Sequence, residues 1–340
     1  MYVVERLLEI SAATFADDNG ARTTNAVPWD EATTYGLADL VTRGVMIDDG
    51  GASVTYWYRS LTAANDADPA ADDQSAPTAW RRIVPEYLSR MFDRRLSSAY
   101  GLDPGLAGID SNMDPAPEGD LTITFDNLSV GRVVNAVWLG GVANASAVRV
   151  QVYNAGDTEV YDRSVSMIDT ENVTNFYEFV TFSPEDYVTG DALFWDVPGY
   201  PDYKIVITAT ALTGTTVQIG EVFAGNAIQL GTTLDGTEGG FDDYSRVDRN
   251  AFGDVQLVQQ GYSKSVKYRW RRSASRQAFA LRIISRNRAI PQLWVGRPDL
   301  PQVEQVVLGF PAGRIRFPFT SGQTMFASLE IQSINQQVIG

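Results

Sequence analysis

The chain has 340 residues, 44% of them hydrophobic, a net charge of −15, and neither cysteine nor histidine. Its length and apolar content predict two or three domains with real cores rather than a disordered chain. The missing residue types exclude disulfides, thiolate and imidazole metal sites, thiol nucleophiles, a Ser-His-Asp triad and imidazole acid–base chemistry.

Taken in chain order, the opening MYVVERLLEI carries Glu5, Arg6 and Glu9 inside its apolar run, so it does not read as a secretory segment. No stretch reaches the ~18 apolar residues of a membrane span, and no membrane insertion is expected. Tyr56-Trp57-Tyr58 alternates faces as a strand. Its rings form either a sugar-stacking platform, or Tyr56 and Tyr58 fill the core of a small module and Trp57 packs on a neighbour. Asn65–Pro77 is acidic and reads as a linker. Its Asp66, Asp68, Asp72 and Asp73 are oxygen ligands of the kind Ca²⁺ takes, but they lack the Gly and closing Glu of an EF-hand, which favours a solvated loop. Pro85–Ser98 has helical character, and the Gly- and Pro-rich Gly101–Asp120 reads as a second linker.

Strand patterns then dominate: Leu121–Phe125, Ala147–Tyr153, Tyr203–Thr208, Thr215–Ile219, Val255–Val258 and Leu329–Ile334, separated by Gly, Pro, Asn and Asp clusters. Glu178, Glu185 and Asp186 are the nearest thing to a glycosidase carboxylate pair, but sequence alone does not place them. Gly225–Gly240 reads as a hinge or turn, since it lacks the Gly-Lys-Ser/Thr ending of a phosphate loop. Asp242, Asp243, Asp248 and Asp254 surround Tyr244 and Phe252. They suit either a cation or turn chemistry with Arg246 and Arg249, and the latter is preferred. Ser263-Lys264 and Ser273 have no catalytic context.

The charge is split. Residues 1–262 carry 39 acids and 15 bases, a balance of −24, whereas 263–340 carry 3 acids and 12 bases, a balance of +9. Lys264, Lys267, Arg269, Arg271, Arg272, Arg276, Arg282, Arg286 and Arg288 form the basic stretch. Its first part has the period of an exposed strand face. Its second part, Ala274–Arg288, reads as a helix with Phe279, Ile283 and Arg286 at i, i+4 and i+7. KSVKYRWRR interleaves rings and bases as nucleic-acid binders do, yet a docking surface for acidic protein is preferred and nucleic acid disfavoured.

The expected fold is mainly β and multi-domain: a small three-stranded N-terminal module, a central β-sandwich, and a C-terminal β-rich domain with one helix. The expected domains are 1–100, a linker at 101–117, a sandwich at 118–225, and a C-terminal domain at 226–340. No cofactor, metal or catalytic residue is expected.

Residues 26–84 resemble the small three-stranded carbohydrate-binding module found on chitinases and on many phage tail proteins. The matches are Trp29, Tyr35, Asp39, Val41, Tyr58, Pro77 and Trp80, and Ala38 stands where that family prefers Gly. Arg59-Ser60-Leu61-Thr62 carries no ring where chitin-binding members do, so a structural spacer stands beside the sugar-binding reading. Residues 121–225 resemble a lectin-type jelly-roll. Residues 230–258, Ile290–Gly296 and Leu308-Gly309-Phe310 resemble recurrent segments of long-tailed phage tail proteins. These resemblances imply a non-enzymatic structural component of a phage tail tip or baseplate, located in the virion. It would work through protein contacts with other tail proteins and copies of itself. The alternative they imply is a receptor- or glycan-binding module for host surface polysaccharide, using Trp29, Tyr56, Trp57, Tyr58 and Trp80.

Overall fold

A computed structural model describes residues 1–6, 15–18, 27–46, 53–72, 76–85, 121–128, 133–168, 190–200, 203–212, 217–249, 255–258, 262–298, 305–313 and 323–334. The fold is mainly β and has several sheets, as expected. The first sheet is the N-terminal module. Strands β4 (Leu40–Met46), β5 (Ser53–Ser60) and β6 (Trp80–Pro85) are antiparallel, and the two-residue β3 (Val27–Pro28) adds in parallel to β4. The expected three strands are therefore present, with a short fourth.

The second sheet has five strands in the order β10-β9-β12-β7-β2: β10 (Glu159–Ser166), β9 (Ala145–Asn154), β12 (Tyr203–Ala211), β7 (Leu121–Leu128) and β2 (Phe15–Asp18). It packs on one face of β8 (Ala136–Gly140), β11 (Asp191–Phe194) and β13 (Glu221–Gln229) to form the sandwich. The core interleaves Ile123, Val150 and Ile207 with Leu139, Phe194 and Val222. Every residue of β8 is buried because both its faces are covered. Val137 and Leu139 face the sandwich core, while Ala136 and Trp138 face a second core.

Strands β11, β8 and β13 also belong to a ten-stranded sheet in the order β11-β8-β13-β1-β19-β20-β21-β18-β14, with β15 also on β18. The added strands are β1 (Tyr2–Arg6), β14 (Thr232–Thr233), β15 (Glu238–Asp243), β18 (Tyr262–Ser273), β19 (Gln292–Val295), β20 (Val306–Pro311) and β21 (Thr324–Ser333). One cluster on this sheet (Val4, Trp138, Phe223, Leu293, Val306 and Leu308, with Tyr2 and Trp195) joins strands from both halves on a single face, so the sheet curls around it. On the other face, a 3₁₀ turn (Ala274–Arg276) and helix α1 (Gln277–Arg286) cover β18, β21 and β19. Ala280, Ile283 and Ile284 pack there against Tyr268, Trp270, Trp294 and Leu329. A separate pair, β16 (Arg246–Arg249) and β17 (Val255–Val258), is antiparallel.

This topology corrects the expected domain boundaries. Strand β1 lies between β13 and β19 with ladders on both sides, and β2 pairs with β7. Strands β1 and β2 therefore belong to the large sheets and not to the N-terminal module. The boundary at 225/226 falls inside β13, in the middle of a continuous sheet. The expected hinge at Gly225–Gly240 is mostly strand. Gly225 lies so close to the Glu5 carbonyl that a side chain has no room, and a Cβ at Gly231 would meet the Arg271 carbonyl at 2.5 Å. Close strand approach, and not flexibility, explains these glycines. The helix is shorter than expected and rotated: Phe279 is exposed, and Ala280, Ile283 and Ile284 face inward. The expected helix at Pro85–Ser98, apart from Pro85 in β6, and the linker at 101–117 lie outside the described residues. So do Glu178, Glu185, Asp186 and Asp254.

Candidate functional site

The aromatic residues expected to bind sugar are mostly core. Trp80 and Tyr58 are buried with Tyr35 and Val41, and Tyr35 packs edge-on to Trp80 at 5.4 Å. Trp57, on the other face of β5, is 3% exposed and joins the sandwich core, so it docks the module onto its neighbour. Trp29 and Tyr56 are half-buried, and each is covered by a guanidinium 4.7 Å from its ring centre, Arg43 and Arg82 respectively. Three of these five rings are therefore buried, and each of the other two has a guanidinium against one face. A small module needs its rings for its own core, and that demand decides where they point.

The described part of Asn65–Pro77, residues 65–72 and 76–77, is tied to the module by specific contacts, with Asp66 exposed. Asn65 is buried, donating 2.7 Å to the Ala79 carbonyl, and exchanges backbone hydrogen bonds with Tyr35. Asp68 pairs with Arg43 at 2.9 Å, which holds its carboxyl below the usual range. Burial works to raise the Asp72 carboxyl, but N–H donation from Trp80, Ala79 and Thr78 outweighs it and the net shift is downward. The Trp80 indole donates 2.7 Å to the Ala67 carbonyl. Asp68 and Asp72 are thus committed to protein donors, and Asp73 lies outside the described residues. Asp243 accepts from the Ser245 N–H at 2.8 Å, a turn contact of the expected kind. Among the described residues no group of three or more acidic side chains is placed to hold a metal ion.

The nine basic residues of the C-terminal stretch separate into three sets. Three have structural contacts. Lys264 donates to the Val306 carbonyl at 3.2 Å. Arg272 donates to the carbonyls of Leu230 at 2.7 Å and Gln229 at 3.0 Å, and stacks over Phe279 at 5.0 Å. Burial, with repulsion from Arg276, lowers its pKa. Arg286 forms an ion pair with Glu5, which also accepts 2.7 Å from Asn287, tying α1 to β1. The expectation that all nine serve docking is corrected for these three, because the strand ends and the helix use them. A second set, Arg276, Arg282 and Arg288, is exposed on or beside α1.

The third set forms a surface. Lys267, Arg269 and Arg271 alternate with buried Val266, Tyr268 and Trp270, so all three project from one face of β18. In register across β21 stand Glu330, Ser328 and Phe326, and Phe326 is 59% exposed. On the other side, Glu238 faces Lys267 and Thr232 faces Arg271. Arg269 lies over Gly236, whose φ is +81°. Among the described residues, Lys267, Arg269 and Arg271 have no ion-pair partner. The same face of the sheet, at β1, β19 and β20, is the buried interior of the curl. At β18–β21 it is open and carries a ring among cations. The period-2 charge pattern was the signal for this surface; Phe326, from the opposite strand, was not flagged by sequence.

A second polar cluster escaped sequence reading. Asp191 and Glu221 are both in register with Gly140, one from β11 and one from β13, so they flank it on one face. Glu221 is fully buried. Burial pushes the Asp191 carboxyl up to about 6, against the opposing pull of Lys264 and of the Gly141 N–H. Lys264 lies on β18 and Asp191 on the far edge strand β11, so this charge interaction is brought about by the curl of the sheet.

No family model matches this chain, and no curated protein matches it.

Proposed function

We propose that this chain is a non-enzymatic structural protein that works by docking onto protein partners, and that the assembly is the tail tip or baseplate of a tailed phage. The observation that carries the docking reading is the open β18–β21 face, where exposed Phe326 stands in register with Arg271, and Arg269 and Lys267 continue the same row along β18. Exposed aromatic and arginine side chains side by side are enriched at protein interfaces, and arginine's planar fork suits carboxylates on a partner. The resemblance of residues 230–258, Ile290–Gly296 and Leu308-Gly309-Phe310 to tail-protein segments supports the phage assignment.

The test is incorporation. Lys267→Glu, Arg269→Glu and Arg271→Glu combined should block entry of the chain into tail particles, with an unchanged circular dichroism spectrum and melting temperature. Arg272 is left intact because its contacts to Leu230 and Gln229 hold the fold. Normal incorporation of the triple variant overturns the docking reading, and absence of the wild-type chain from purified virions overturns the phage assignment.

A further inference from the structure

The module presents the chemical counterpart of the basic face. Tyr35 and Asn65 exchange backbone hydrogen bonds of 2.8 and 2.9 Å, which hold the loop at 29–39 against the loop at 61–67. Asp30, Glu31 and Asp39 on the first loop and Asp66 on the second are exposed. Residues 27–39 and 61–72 contain no base at all. Among these acids stands Leu37, 64% exposed, an apolar residue with no core role. The acidic end thus matches the β18–β21 face in kind: a projecting apolar side chain among like charges, with the opposite sign.

We infer that the occupant of the basic face is a second copy of this chain, seated through its acidic module end. This rests on the docking reading above and names its partner. Two different patches on one chain make a heterologous contact, which propagates into a ring or a filament rather than closing as a two-fold dimer. The signs of the two faces follow the −24 and +9 balance of the two parts of the chain. Opposite fields of this kind set orientation and speed association, and they make it salt-sensitive.

Sedimentation velocity over a concentration series at low salt tests this, on the full chain. Wild type should form species larger than a dimer, and these should dissociate when salt is raised. The basic-face variant (Lys267→Glu, Arg269→Glu, Arg271→Glu) and an acidic-end variant (Glu31→Lys, Asp66→Lys) should each be monomeric, with association weakened roughly tenfold or more. Mixed one to one, they should form a heterodimer and nothing larger, because each keeps one working face. Glu31 and Asp66 are chosen because Asp30 and Asp39 accept turn hydrogen bonds from Ala32 and Gly36. If a reversal variant misfolds, Arg269→Gln with Arg271→Gln replaces it. A wild type that stays monomeric, variants that still associate, or a mixture that fails to pair overturns the self-partner. A monomeric wild type, with the basic-face variant still excluded from tails, leaves the docking reading standing and points to another acidic protein.

Discussion

Replacing Asp191 by Asn should stabilise the protein at neutral pH and leave it nearly unchanged in acid. The ordinary aspartate pKa is 3.8, and in the fold burial lifts Asp191 to about 6. The folded state therefore holds the proton more tightly than the unfolded chain. Below about pH 4 both states are protonated and the group imposes no penalty. Between about pH 4 and 6 the unfolded chain loses its proton first, so stability falls as pH rises. Above about 6 the penalty is constant. A gap of roughly two pKa units at about 1.4 kcal/mol each gives about 3 kcal/mol. Asn keeps the shape without the charge. The difference in unfolding free energy between the variant and wild type, from urea titrations over pH 4–8, should thus climb from near zero to about 3 kcal/mol in favour of Asn. Taking the difference cancels the other carboxylates. A flat difference refutes the burial argument. A difference that grows in favour of wild type refutes it more directly, since the ionised carboxylate would then be stabilised by Lys264 beyond its cost of burial.

Ala38 has φ +70°, a left-handed conformation that costs an L-residue about 1–2 kcal/mol, so Ala38→Gly should raise stability by a net ~0.5–1 kcal/mol, seen as a higher melting temperature of the module. Trp57→Ala should cost about 3–5 kcal/mol and expose the joint between module and sandwich to protease, as read by limited proteolysis. Glu5→Ala should cost about 2 kcal/mol by denaturant unfolding, more than Arg286→Ala at about 1 kcal/mol, because Asn287 also loses its acceptor while Arg286 is largely exposed. A chain lacking residues 1–18 should lose cooperative unfolding, and a synthetic 1–18 peptide should restore it, since β1 joins β13 to β19.

The mainly β character was legible from the sequence because strand period and turn residues are local properties. Leu121–Phe125, Ala147–Tyr153 and Tyr203–Thr208 all lie within strands of one sheet. The alternation of Lys267, Arg269 and Arg271 with Val266, Tyr268 and Trp270 marked a charged face for the same reason, since strand geometry alone puts alternate residues together. Tertiary structure decided everything that depends on distant pairing. It placed Tyr2–Arg6 beside Gly225–Gln229, some 220 residues away in sequence, and so put the first strand in the large sheet and not with the N-terminal module. It turned Tyr58 and Trp80 into the core of the module, since four short strands have few other groups with which to fill it, and put Trp57 into the sandwich core. It assigned Lys264, Arg272 and Arg286 to strand ends and to Glu5, and left the other bases at the surface. The physical reason is common to all of these. Composition and period say which side chains share a face, but only the closure of sheets on one another determines whether that face meets water, a core, or a charge from the far edge of the same sheet.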